Sequence, residues 1–143
     1  MTHKTKKRKA TKRAASLSRD DLLPMAASLA RPISLKNHMA LAVFKTGQGN
    51  LDLAGDLLKT LYWSFYLSDS TEVTGREGDF IAAERSLKAC LIKARDTNQW
   101  RIAEADARHM EVIRQLHDKQ LASTPVYRLE KAKRRLAPAH EER

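Results

Sequence analysis

The densest apolar pattern in the chain runs from Leu51 to Leu67, LDLAGDLLKTLYWSFYL. Positions 51, 54, 58, 61 and 65 recur at helical spacing, with Leu53, Leu57, Tyr62 and Tyr66 beside them. The second half, Leu61 to Leu67, is apolar nearly all the way round, so the pattern predicts a helix with packed neighbours on several sides. At about 1.5–3 kcal/mol per fully buried large side chain, it is expected to be the largest single contributor to the core.

Its neighbours follow from the same kind of pattern. A short helix is expected at Asp20 or Asp21, limited to a turn or two by Pro24 and Pro32. Ser34 can cap a helix over 35–46, with Leu35, Met39, Ala42 and Val43 facing inward and Gly47 as its stop. Asn50 then caps the central helix, and Asp52 lies near its positive end. Residues 68–79 form a polar, glycine-punctuated connection that is expected to be mobile. Asp79 caps a helix to about Arg95, carrying the stripe Phe80, Ala83, Leu87, Cys90 or Leu91, and Ala94. Thr97 or Asn98 opens the next helix, to about Leu121. Its apolar rows are Trp100, Ala103, Ala107, Met110 and Ile102, Ala105, Val112 or Ile113, Leu116. Thr124 and Pro125 start a last helix to about Leu136, and the end beyond it frays. No period-two segment and no repeat interrupts this order. The expected fold is all-α, a bundle of about four main helices with short extra helices. Residues 20–136 form its one domain, between a disordered basic N-terminal tail (1–19) and a frayed C-terminus (137–143).

Composition supports that reading. A chain of 143 residues with only five glycines and four prolines can bury a substantial core without staples. The single cysteine, Cys90, excludes an internal disulfide and fits a reducing, cytoplasmic setting. Asp52, Asp56 and Lys59 interrupt the best apolar run, so no membrane span is expected. No apolar stretch follows the basic N-terminus, so no secretory signal is expected either.

Charge changes the picture more. The net charge of +10 divides into +8 over residues 1–19, −1 over 20–127 and +3 over 128–143. The body is near neutral and the ends are cationic. Segment 1–19 is poor in hydrophobic residues and dense in like charge, which is why order is not expected there.

The Arg95-Asp96-Thr97-Asn98-Gln99-Trp100 turn, Glu104, the Asp118-Lys119-Gln120-Leu121 end and the Ala-containing basic helix after it resemble short proteins encoded on proteobacterial prophages and plasmids. Those proteins are helical, often open with a basic tail, and sometimes carry a Fis-type regulator label. The resemblance spans roughly residues 39–136. It implies a bacterial mobile-element origin and an all-α fold; the family's function is undefined, so no site residue is carried over.

Two candidate surfaces follow from the residues themselves. Lys4, Lys6, Lys7, Arg8, Lys9, Lys12 and Arg13 can contact phosphates and release counterions, giving affinity for nucleic acid without sequence choice. Arg128, Lys131, Arg134 and Arg135 share a face of the last helix opposite Val126, Leu129 and Leu136, and can lengthen that strip. The alternative to phosphate contact is a solubilising tail and a solvated helix face with cations suitably near a C-terminus. The second surface is Tyr62, Trp63, Phe65 and Tyr66, which one helix cannot point at one core. Either the bundle wraps them or some are exposed for a partner, such as a host protein complex or, most simply, a second copy forming a homodimer. The function expected is a non-catalytic nucleic-acid-binding protein, with an inhibitor or adaptor of a host complex as the alternative.

Other motifs are weaker. A helix-turn-helix across Gly47–Asn50 would send Asp52 and Asp56 toward phosphates, which repel them. The Gly75-Arg76-Glu77-Gly78 run resembles the GxxG loop of KH domains but has acidic neighbours and no flanking strands. Asp106 and His109 have metal-ligand spacing but no second pair, so a part-buried histidine bonded to Asp106 is expected, and no metal or cofactor. Cys90, on an apolar stripe, reads as a core thiol. No phosphate loop or nucleophile elbow occurs, and no enzymatic activity is expected.

Overall fold

The computed structural model describes residues 17–69 and 73–136, and these form an all-α bundle. Its helices are α1 (Ala27–Lys45), α2 (Leu51–Leu67), α3 (Glu77–Thr97), α4 (Glu104–Ser123) and the short α5 (Val126–Arg134), preceded by a 3-10 turn at Asp20–Leu22. Two isolated backbone bridges, Pro24 with Pro125 and Gln48 with Trp100, tie connections together. The expected tail and frayed end fall largely on residues 1–16 and 137–143, outside the described residues, as do positions 70–72 of the expected mobile connection.

The central helix has the surroundings its composition demands. α2 packs against α1, α3, α4 and α5. Asn50 caps it, Oδ1 accepting from Leu53 N at 2.9 Å. Its inward positions are Ala54, Leu57, Thr60, Leu61, Trp63, Ser64 and Leu67, while Leu51 and Phe65, read as part of the stripe, point outward. Two apolar clusters result. The larger joins Phe44, Leu57, Leu61, Phe80, Leu87 and Met110 with their neighbours from α1 to α4. The smaller joins Trp63, Leu67, Leu121, Leu129 and Ala132 at the α5 end.

Three expectations are corrected. First, α1 begins at Ala27 and not after Ser34, running through Pro32. A proline there forfeits the bond to the Ser28 carbonyl, but Ser28 is exposed and water can serve that oxygen. Its buried face is Asn37, Ala40, Leu41 and Phe44; Leu35, Met39 and Ala42 are exposed and Val43 is half-buried. Two faces of this helix are apolar, and the one carrying Phe44 is the one the bundle covers.

Second, Thr97 and Asn98 end a helix and do not open one. Asn98 takes the left-handed conformation (φ 57°), its N–H donating to Ala94 O at 2.7 Å, a conformation asparagine tolerates. Residues 99–103 then run extended because their backbone pairs with the α1–α2 turn: Gly49 N donates to Trp100 O (3.1 Å) and Ile102 N to Phe44 O (3.0 Å). Ala105 and Val112 consequently face solvent, whereas Ile102, Ala107, Met110 and Ile113 are buried.

Third, α3 begins at Glu77, with Arg76 in the capping position and Asp79 inside the first turn, where a carboxylate still faces the positive helix end. Its stripe of Phe80, Ala83, Leu87, Cys90 and Ala94 is buried as the periodicity indicates. Thr124 is buried, and Pro125 precedes the first residue of α5.

Two glycines separate steric need from mere tolerance. A Cβ on Gly49 would lie 2.5 Å from the ring of Phe44, itself fully buried and unable to yield. A Cβ on Gly55, inside α2, meets nothing within 4 Å. Gly49→Ala is therefore expected to lower unfolding stability by about 1–3 kcal/mol through overpacking. Gly55→Ala is expected to raise it by about 0.4–1 kcal/mol through chain entropy. Denaturant melts of both variants check the pair.

Candidate nucleic-acid interface

α5 is seated by its apolar side. Leu129 and Ala132 are buried in the smaller cluster, with Leu136 packed against it. Trp63 Nε1 donates to the Leu129 carbonyl at 3.0 Å. At its start, Val126 N donates to Leu23 O (3.0 Å), so the segment leading out of residues 1–16 enters the bundle against α5.

The opposite side is cationic. Arg128, Lys131, Lys133, Arg134 and Arg135 are all exposed. By helical geometry Lys131 and Arg134 stand outermost, with Arg128 and Arg135 along one edge and Lys133 along the other. Aromatic rings lie beneath three of them. The Arg135 guanidinium lies 4.1 Å from the Tyr66 ring centroid, the Lys133 ammonium 5.4 Å from that of Trp63, and the Arg128 guanidinium 5.7 Å from that of Tyr127. Arg128 Nε also donates to the Tyr127 hydroxyl at 3.0 Å, and Arg134 Nε to the Glu130 carbonyl at 3.3 Å. Lys131, Lys133, Arg134 and Arg135 form no ion pair with a carboxylate among the described residues. Lys133 stands away from the face that the sequence pattern marks out; its signal is its spacing from Leu129, which places it beside the buried edge. Lys4, Lys6, Lys7, Arg8, Lys9, Lys12 and Arg13 lie outside the described residues.

The four aromatics of α2 are separated, not gathered. Tyr62 donates its hydroxyl to Glu84 on α3 at 2.8 Å. Trp63 is buried beneath α5, and Tyr66 is covered by Arg135. Phe65, 42% exposed, meets Phe80 edge-on at 5.4 Å.

Under this face lies a polar cluster that apolar periodicity could not reveal. Ser64, His117 and Gln120 have no solvent exposure. Gln120 is saturated. Its Oε1 accepts from Ser64 Oγ (2.8 Å) and His117 Nδ1 (3.3 Å); its Nε2 donates to Ser64 O (3.2 Å) and Val73 O (3.0 Å). An amide oxygen can only accept, so the imidazole proton resides on Nδ1. Nε2 is left as a buried lone pair without a partner, and the Trp63 ring stands edge-on at 4.6 Å. Ser68 extends the cluster, accepting from Gly75 N at 3.2 Å, and so ties the described ends of the 68–76 connection to α2 and α4.

The histidine expected to be part-buried is instead the exposed His109, and its expected partner Asp106 accepts from Ser86 Oγ at 3.2 Å. The face of α4 that carries Met110 also carries His117, two turns on, and not His109. No three His, Cys, Asp or Glu side chains gather as metal ligands among the described residues. Cys90 is buried, its thiol 3.4 Å from Arg101 O, and burial pushes its pKa up. Among these residues no helix is long and apolar enough to cross a membrane. α2, the helix a helix-turn-helix would send into a groove, is enclosed by its neighbours; Asp52 is exposed at its start and Asp56 pairs with Lys36 at 3.7 Å. Comparison with protein-family models, with curated proteins and with solved structures gave no match.

Burial of His117 has a consequence for stability. Desolvation of the cation lowers its pKa from 6.5 to about 4, against the smaller opposing effects of Gln120 and Asp118. The unfolded chain therefore binds the extra proton first as pH falls. The fold keeps its full stability above about 6.5 and loses about 3 kcal/mol on the way down to about 4. Glu111, held below the usual carboxylate range by hydrogen bonding from Arg114, adds to the loss only as pH falls below about 4.5, its ordinary value. Urea melts between pH 7 and 4.5 are expected to show this slope in the wild type and a flatter one in His117→Leu.

Proposed function

We propose that this chain is a small non-catalytic cytoplasmic protein that binds nucleic acid without sequence preference. The bound surface is α5, with Arg128, Lys131, Lys133, Arg134 and Arg135, extended by the cationic residues 4–13. A bacterial mobile-element origin accompanies the reading through the resemblance noted above. The observation that carries it is the bond of Val126 N to Leu23 O, which sets Leu23, ten residues after the last of the cations 4–13, against the start of a helix whose outer cations face solvent.

Phosphate contact suits this surface better than base stacking. All eight aromatic residues of the chain fall within the described part. Phe44, Trp63 and Phe80 are buried; Tyr62, Tyr66, Trp100 and Tyr127 are half-buried, and only Phe65 is exposed, away from α5 and against Phe80. No row of open ring faces accompanies the cations, so stacking on successive unpaired bases has no platform. Lys131, Lys133, Arg134 and Arg135, by contrast, can reach phosphates without displacing a carboxylate among the described residues.

Titration of duplex DNA at two salt concentrations tests the proposal. Deletion of residues 1–19 is expected to weaken binding and flatten the salt dependence, by about 0.9 in log–log slope for each phosphate that is no longer neutralised. Lys131→Gln with Arg134→Gln is expected to free a further one to two phosphates. Unchanged affinity and slope after the deletion would overturn the reading.

A further inference from the structure

α1 has a second apolar face, and the bundle does not cover it. Opposite the buried Asn37, Ala40, Leu41 and Phe44, the exposed row Pro32, Leu35, Met39 and Ala42 runs at the alternating three- and four-residue spacing of a heptad's a and d positions. Leu35 is 58% and Met39 55% exposed. On this register Arg31, His38 and Lys45 occupy successive g positions and Lys36 an e position, all exposed. None of the nineteen residues of α1 is acidic. Beside the row, Arg31, Pro32, Leu35 and His38 line an open groove of about 670 Å3, closed on the α4 side by Arg114.

We propose that this face of α1 docks an acidic amphipathic helix of a partner protein, with apolar residues on the Pro32–Ala42 row and carboxylates against Arg31, His38 and Lys45. The charges select the occupant. A second copy would set the g row against itself if antiparallel, Arg31 facing Lys45, and Arg31 against Lys36 if parallel; like charges across such a seam repel. The N-terminal segment of this chain is excluded on the same ground: residues 1–16 carry seven lysines and arginines and no carboxylate. Arg114 does not compete for the partner's acids, since Glu111 and Asp118 already hold it, the latter at 2.9 Å. The surface lies on a different helix from the cations assigned to nucleic acid, so it adds a protein partner to that reading and does not depend on it.

The probe is a three-heptad synthetic helix with leucine at a and d and glutamate at e and g, titrated by fluorescence anisotropy against the full chain. A counterpart with lysine in place of glutamate is the control. The glutamate peptide is expected to bind at least about tenfold more tightly. Leu35→Lys with Met39→Lys is the decisive variant, because it raises the positive charge while destroying the apolar row. Docking predicts loss of binding, whereas attraction of any acid to a basic chain predicts a gain and would overturn the proposal. Arg31→Glu with His38→Glu is expected to reverse the preference toward the lysine peptide. Three further results would also overturn it: no binding of the glutamate peptide, sedimentation as a dimer that the Leu35 and Met39 changes dissolve, or capture by phosphatidylglycerol vesicles that the same changes abolish. All these positions are exposed, and circular dichroism verifies that the variants keep their helices.

Discussion

The bundle depends on a helix that has no side left for water. α2 meets α1, α3, α4 and α5, and its apolar residues serve two clusters at once: Leu57 and Leu61 in the larger, Trp63 and Leu67 in the smaller. Each large side chain removed from water there contributes about 1.5–3 kcal/mol, and truncating one would cost more because dense surroundings relax only in part. The other helices are arranged by the need to cover it. The turn before α2 bonds to the segment after α3, and α5 closes over Trp63.

Hydrophobic burial is non-directional, so it does not by itself set the register of α2 against α4. The Ser64, Gln120 and His117 group does. A buried carboxamide left short of partners costs about 1–3 kcal/mol, and Gln120 meets its needs only when Ser64 and Val73 stand where they do. Sliding α4 by one turn would break those bonds together. The same requirement fixes a neutral imidazole beside Trp63, and through the Trp63–Leu129 hydrogen bond the layer supports α5 from below.

The two exposed surfaces differ in how their cations are held. On α5, three cations lie over aromatic faces, which orient them. On α1 the cations border an apolar row, an arrangement that rewards a partner having both shape and opposite charge. A near-neutral body between two such surfaces keeps long-range attraction confined to chosen places.

Much of this was legible along the chain. Helical periodicity, the Asn50 cap, the stop at Gly47, the stripe of α3 and the surplus apolarity of Leu61 to Leu67 are local properties, and they determined that the protein is an all-α bundle built around α2. The segregation of charge into the ends is likewise a fact of sequence. Which of two apolar faces α1 would bury was not determined there, because Leu35 and Met39 repeat as regularly as Ala40 and Phe44; only contact with α2 and α4 decided it. Residues 99–103 had helical composition but found better backbone partners in a turn distant along the chain. His109 and His117 look alike in sequence, and only the packing of α4 put one in water and the other beside Gln120. Local pattern gives each element its type, whereas the choice among equivalent faces belongs to the neighbours that cover them.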